Sequence, residues 1–255
     1  MLALERRNLI LEKLQEEKRV VVSELSQLYG VSEETIRRDL DKLDKDGLAV
    51  KSYGGAVINE NTSIDMPFNV RKKKNVAGKQ KIAELIAEMI QDGDHIAIDA
   101  STTSVFIAKA IRQKERITLV TNSIEIIIEL ADVSDWDIIS SGGRLKEGYL
   151  ALVGAKAIEA LDSYNVEIAI VSGKGFDLER GLTDSNEEFA QPKRIMMKSA
   201  KHRIIAVDKT KFGKIAFSQI AGLSEMDIVV TDEKPGDEWL ERFKQMGVRC
   251  YYPGR

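Results

Sequence analysis

From residue 96 onward the chain alternates short apolar runs with helical patterns, and that rhythm constrains its architecture more than any other feature. The runs fall at 96–99, 118–121, 137–140, 167–172, 204–208 and 227–231. Alternation of this kind predicts an α/β unit, an open, mainly parallel sheet with helices on both faces. A long amphipathic helix precedes the first run, with Ile82, Leu85, Ile86, Met89 and Ile90 on one side and Gly93 after its end. No internal repeat or low-complexity tract interrupts the pattern.

At 255 residues the chain suits two domains. Its 43% hydrophobic and 31% charged residues are an ordinary globular balance, enough to bury a core. No apolar run is long enough to span a bilayer, so no membrane association is expected. Residues 1–11 do not resemble a signal peptide, because Glu5, Arg6, Arg7 and Asn8 interrupt them. The single cysteine, Cys250, excludes an internal disulfide and points to the cytoplasm. One Cys and two His argue against a structural zinc, and no metal or cofactor is expected.

The first 58 residues read differently. Leu4, Arg7, Ile10, Leu11 and Leu14 recur at helical spacing. A β-branched run at 19–22 follows. Ser23 offers an N-cap for a helix through Tyr29, and Gly30-Val31 makes a turn. Ser32 caps the next helix, with Glu33 and Glu34 in its first turn and Gly47 as its stop. Ile36, Leu40 and Leu43 share one face, suited to packing on Leu25 and Leu28. The opposite side carries Thr35, Arg38 and Lys42. Residues 48–58 contain β-formers around Gly54-Gly55, consistent with a small hairpin.

Two helices joined by a short turn, with Arg37-Arg38 on the second, suit the major groove of double-stranded DNA. Arg bonds both acceptors of a guanine there, and Ser32 and Thr35 suit phosphates or base edges. A solvated charged helix is the plainer reading of any one Arg pair. The ordered set of helix, turn, Ser cap, apolar face and Arg-Arg favours DNA. Bulk charge does not help: the net charge is −3, and residues 1–58 hold ten Lys/Arg against eleven Asp/Glu.

Val31-Ser32 with Thr35 to Leu40, then Leu43, Gly47-Leu48 and Gly54-Gly55-Ala56, resembles the DeoR-type helix-turn-helix signature. The match runs almost continuously from Arg6 to Ala56. It implies a winged helix-turn-helix over 1–58, with Tyr53 standing where the family's wing commonly has His. A connector is expected over 59–75, with Pro67 and the basic cluster Arg71 to Lys74 making it a hinge. For that cluster a solvated charge run outweighs a second DNA contact.

In the rest, 76–255, five features fall at carboxyl ends of predicted strands: Asp99 with Ser101-Thr102-Thr103, Thr121-Asn122, Gly142-Gly143, Lys174-Gly175, and Asp208 with Lys211. Ligands of open α/β sheets gather at that edge, and hydroxyls with free N–H groups at a helix start cradle phosphate. Alone, each reads as a plain cap or turn. Together they predict an anion site. This half is similar to the DeoR effector domain, which resembles ribose-5-phosphate isomerases, glucosamine-6-phosphate deaminases and CoA transferases in fold. The landmarks are Asp99 to Thr103, Thr121-Asn122-Ser123, Gly142-Gly143-Arg144, Gly181-Leu182-Thr183, Lys193-Arg194 and Asp208 to Gly213. The family often has Gly where Ser101 stands and Glu where Phe189 stands.

The resemblance implies a transcriptional regulator, a repressor of carbohydrate-metabolism genes, with a phosphorylated sugar as effector. Thr102, Thr103 and Lys211 are then expected on the phosphate, and Asp99, Asn122 and Glu187 on hydroxyls. Lys174 fits either role. For Lys193, surface solubility weighs nearly as much as a place in the site. A homo-oligomer, dimer or tetramer, is expected, since helix-turn-helix proteins usually read paired half-sites. The rival class is a sugar-phosphate isomerase or deaminase using Asp99, Glu187 and Lys174. The helix-turn-helix has no role in such an enzyme, and His95 and His202 lack a catalytic context.

Overall fold

Ile10, Leu11 and Leu14 give α1 (Ala3–Glu17) an apolar edge, and the first unit condenses on it. After β1 (Arg19–Val21) come α2 (Val22–Tyr29) and α3 (Glu33–Lys45). Ile36, Leu40 and Leu43 of α3 are buried against Leu25 of α2. The hairpin β2 (Ala49–Ser52) and β3 (Gly55–Ile58) pairs through β3 with β1, giving a three-stranded antiparallel sheet. This is the winged helix-turn-helix.

The computed structural model describes residues 1–59, 66–146 and 148–254, and the chain divides into two units, residues 1–74 and 75–255. Three local expectations are corrected. Leu28 is 60% exposed, because on α2 it lies well off the Val22–Leu25 face, and Tyr29 packs there instead. Leu4 is likewise exposed, and Arg6 takes the buried position on α1. The helix α2 starts one residue before Ser23, with Val21 at the N-cap and no side-chain cap.

The expected connector is also different where it is described. Pro67 caps a short helix, α4 (Phe68–Lys73), whose Val70 is buried in the first unit's core. Arg71 Nε donates to the Met66 carbonyl at 2.9 Å, and Lys73 Nζ lies 2.8 Å from the Glu12 carboxylate. Apolar burial and these bonds fold residues 66–74 onto α1, so the basic cluster is partly engaged by the head. Residues 60–65 of that expected hinge lie outside the described residues.

The second unit opens with α5 (Val76–Ala87), then β4 (His95–Ile98), α6 (Thr102–Ala110), β5 (Thr118–Thr121), α7 (Ile124–Leu130) and β6 (Asp137–Ser140). Next come the hairpin β7 (Arg144–Lys146) and β8 (Ala151–Val153), α8 (Ala155–Asp162) and β9 (Val166–Val171). There follow β10 (Gly175–Asp177), β11 (Gly181–Asp184), α9 (Glu187–Lys198), β12 (Ala200–Ala206), β13 (Ser218–Ala221), β14 (Ile228–Val230), α10 (Asp237–Met246) and β15 (Arg249–Tyr251). Seven strands form one parallel sheet in the order β15-β14-β12-β9-β4-β5-β6. All six expected strands are present, and β15 adds the seventh.

The central strands are nearly unbroken apolar runs because both faces are covered: Ala169, Ile170, Val171, Ile204, Ile205 and Ala206 are all buried. Two smaller antiparallel pieces were not foreseen. One is the sheet β10-β11-β13, and the other is the hairpin β7–β8.

Candidate functional site

On the first unit, Ser32 caps α3 as expected: its Oγ accepts the Thr35 N–H at 3.2 Å and lies 3.0 Å from Thr35 Oγ1. At 100° per residue, Arg38 falls about 160° round the helix from both Ile36 and Leu40. It therefore stands opposite the core face, with Lys42 beside it, and Arg37 falls on the flank. Each cation is engaged by an acid four residues away. Arg37 Nη2 donates to Glu33 at 2.6 Å, Arg38 Nε to Glu34 at 3.2 Å and Lys42 Nζ to Asp46 at 2.8 Å. Tyr53 is fully exposed at the hairpin tip. Gly55 lets β3 pair closely with β1, since a Cβ there would clash with the Val20 carbonyl oxygen.

Asp39, within the same motif, has a different task. It is buried and accepts from Arg6 Nε at 2.5 Å, tying α3 to α1. A sequence reading has no way to pair residues so far apart.

On the second unit, strand register sets the site. Ile98 pairs with Thr121 on one side and Ile170 on the other, so Asp99, Asn122 and Val171 emerge side by side at the carboxyl edge. Gly142-Gly143 follow β6 there, and Asp208 follows β12. A Cβ at Gly143 would lie 2.7 Å from the Val153 carbonyl oxygen, so this turn requires glycine.

Asp99 is 1% exposed, and its carboxylate is saturated. Oδ1 accepts from the Ser101 N–H at 3.1 Å and from Ser104 Oγ, while Oδ2 accepts from the Ser172 N–H at 3.0 Å. The Lys193 ammonium lies 3.2 Å from Oδ2. Asp99 thus shapes the β4–α6 turn, rather than offering the free carboxylate expected for a sugar hydroxyl. Ser101 Oγ caps α6 by accepting the Ser104 N–H at 3.1 Å. Thr102 and Thr103 occupy the first turn, where backbone N–H groups have no acceptor within the helix.

Thr121 is wholly structural: its Oγ1 donates to the Ile98 carbonyl at 2.7 Å and accepts the Ser123 N–H at 3.1 Å. Asn122 is different. Its Nδ2 donates to the Leu152 carbonyl at 3.0 Å, while its buried Oδ1 has no hydrogen-bond partner. Asp208 Oδ1 accepts from the Thr210 N–H at 2.9 Å, which shapes the turn carrying half-buried Lys211. Lys174 is half-buried on the β9–β10 connection. Glu187 is exposed and ion-paired to Arg194, so the structure does not free it for a ligand hydroxyl.

Lys193 does not keep its surface reading. It is buried, not a solubilising surface group. Its Nζ donates to the Asp184 carboxylate at 2.5 Å and the Ser172 carbonyl at 2.8 Å. Burial alone would push the ammonium down, but Asp184 and Asp99 outweigh it and hold the pKa above the ordinary lysine value. Glu188 binds Arg144 and Lys146 of β7, latching the hairpin to α9. Phe189 packs with Tyr149, Ala100, Ala151 and Val153, its ring 4.2 Å from that of Tyr149. Among the described residues no three His, Cys, Asp or Glu form a metal cluster, and no helix is long and apolar enough to cross a membrane.

Two family descriptions match this chain: a DeoR-like helix-turn-helix domain over residues 6–62 and a DeoR C terminal sensor domain over residues 74–233. The HTH-type transcriptional regulator YulB of Bacillus subtilis (strain 168) is 39% identical over 232 residues, covering 91% of this chain and 90% of that protein. The glycerol-3-phosphate regulon repressor of Escherichia coli (strain K12) is 29% identical, covering 91% of each. Ribose 5-phosphate isomerase A from Neisseria gonorrhoeae matches 52% of each chain at 14% identity and a TM-score of 0.40, too loose a likeness to carry an enzymatic reading. On the match of both domains, the chain belongs to the DeoR family of helix-turn-helix transcriptional regulators.

Proposed function

We propose that this regulator represses carbohydrate-metabolism genes by holding operator DNA through α3 and the wing, and that a phosphorylated sugar bound at the carboxyl edge of the seven-stranded sheet controls it. The observation that carries the DNA half is the outward face of α3, which sets Arg38 and Lys42 opposite a fully buried apolar face. Ser32, Thr35, Arg37 and Tyr53 supply the flanking contacts.

The effector half is supported by the start of α6. Thr102 and Thr103 offer N–H groups and hydroxyls to a phosphate, and the helix dipole favours the anion. Lys211 adds the cation, Asn122 Oδ1 accepts from a sugar hydroxyl, and Gly142-Gly143 let the backbone approach. Asp99, Ser101, Thr121 and Asp208 hold these groups in place. That the edge carboxylates Asp99 and Asp184 are both tied to Lys193 favours sensing over turnover, since neither is free to move a proton. The enzyme reading is set aside for a regulator.

The protein works in the cytoplasm as a dimer or tetramer, presenting at least two heads to half-sites about 34–36 Å apart. The sensor's two arrangements differ in affinity for the effector, typically by about 1–3 kcal/mol per site, and this shifts the heads. The test is fluorescence anisotropy on DNA from upstream of its own gene, at fixed salt, titrated with phosphorylated sugars. A change in DNA affinity with one compound is expected. Binding that no member of a broad panel alters would sink the effector site, and no DNA binding would sink the whole reading.

A further inference from the structure

We propose that Glu34 is a positioning residue for Arg38 and sets the preference of α3 for operator over random DNA. The inference rests on the reading of α3 as the DNA-reading helix. It comes from which nitrogen each arginine gives up. Arg38 is held by Nε, which donates to Glu34 Oε1 at 3.2 Å, so both terminal amino groups remain as an open fork. Arg37 is held by a terminal nitrogen, Nη2, and its fork is half used. The Arg38 and Glu34 side chains are 78% and 63% exposed, so the pair stands where DNA would lie.

Two consequences follow from that geometry. The open fork matches the O6 and N7 acceptors of a guanine in the major groove, and the Nε anchor fixes its orientation before contact. Less side-chain freedom is then lost on binding the right base. The second consequence concerns charge. Random DNA is held through phosphate, in proportion to the cations offered. A neutralised Arg38 offers little, and the Glu34 carboxylate is itself repelled by phosphates. The same pair therefore favours a base edge and disfavours a bare backbone. Lys42 with Asp46 and Lys51 with Asp41 repeat the neutralisation around it. An exposed pair at this spacing adds little to helix stability, so its removal leaves the fold intact.

The test uses the full chain. A duplex is selected by the wild-type protein from a random pool, and its affinity is compared with that of a shuffled duplex across salt. The proteins are wild type, Glu34→Ala and Glu34→Gln. For Glu34→Ala, binding to the shuffled duplex tightens and its salt slope steepens by about one. Binding to the selected duplex weakens, and the ratio of the two affinities falls about tenfold, as for one misplaced bidentate contact. Glu34→Gln keeps an acceptor for Nε, so it recovers part of the selected-duplex affinity while still binding shuffled DNA more tightly. An unchanged ratio in both variants, or a parallel change on both duplexes, overturns the proposal and leaves the DNA reading standing. Selection of no sequence by the wild type overturns both.

Discussion

Arg6 Nε lies 2.5 Å from Asp39 Oδ2, with both side chains buried between α1 and α3. This pair ties α1 to α3, the helix proposed to read DNA. Asp39→Ala strands a buried guanidinium and should cost the head about 3–5 kcal/mol. The paired change Arg6→Met with Asp39→Leu should recover much of that loss. Thermal melting of the three proteins checks it, and equal melting of wild type and Asp39→Ala would refute a structural role.

Lys193 joins Asp99 of the β4 turn, Asp184 of β11 and the Ser172 carbonyl. Lys193→Met leaves two buried carboxylates facing each other, at a cost of about 3–5 kcal/mol. Its pKa is raised, so its stabilisation is complete below the ordinary value of 10.5 and is lost only as pH rises through the higher folded value. As pH rises from neutral to mildly alkaline, denaturant melts should show no loss of the wild-type-minus-variant difference, and a difference that shrinks over that range would contradict this. Towards acid it should shrink, because the two unpaired carboxylates of the variant take up a proton there.

Glu188 latches the β7–β8 hairpin to α9 through Lys146 and Arg144. The Lys146 hydrogen bond is the main cause holding its carboxyl below the usual range, with Arg144 assisting. A lowered carboxylate stabilises above its unfolded value, and the effect is lost as pH falls through the folded one. Hairpin amides around Leu145 and Leu152 should therefore lose protection, measured against their intrinsic exchange rates, in acid. Glu188→Gln should show the reduced protection already at neutral pH, and identical protection in the two proteins would rule the latch out.

Lys211→Met should leave DNA affinity unchanged and weaken response to the effective sugar phosphate by about 10- to 100-fold, as for a lost hydrogen bond to a charged group. Titration of the DNA-bound variant reads this directly. A normal response would place the phosphate elsewhere.

Much of this architecture is legible from short-range pattern. Ile36, Leu40 and Leu43 repeat at helical spacing, and the sheet's strands are runs of β-branched residues between helices, so neither needs long-range knowledge. Leu28 misleads because α2 is short and Tyr29, not Leu28, completes its buried face. The sheet β10-β11-β13 escapes notice because its strands span only three or four residues, and β13 joins from beyond α9. In the site, Thr102, Thr103 and Gly143 stand where strand ends predict. Asp99 does not read as a tied carboxylate, and Lys193 reads nearly as well for the surface as for the site, because Ser172 at the end of β9 and Asp184 of β11 reach them only through the fold. A lone lysine in a helix looks like solvent-facing charge until the fold brings two carboxylates to it.

The strand order also sets a timetable for synthesis. Every piece of the head lies within residues 1–74, whereas β4 must wait for β9, beginning at Val166, before it has neighbours on both sides. Translation adds about 5–20 residues per second, and domains generally fold as they emerge. The reader of DNA is thus complete while its regulator is still an unpaired ribbon. A chain interrupted in the sheet would carry a folded head and an unfinished sensor unit.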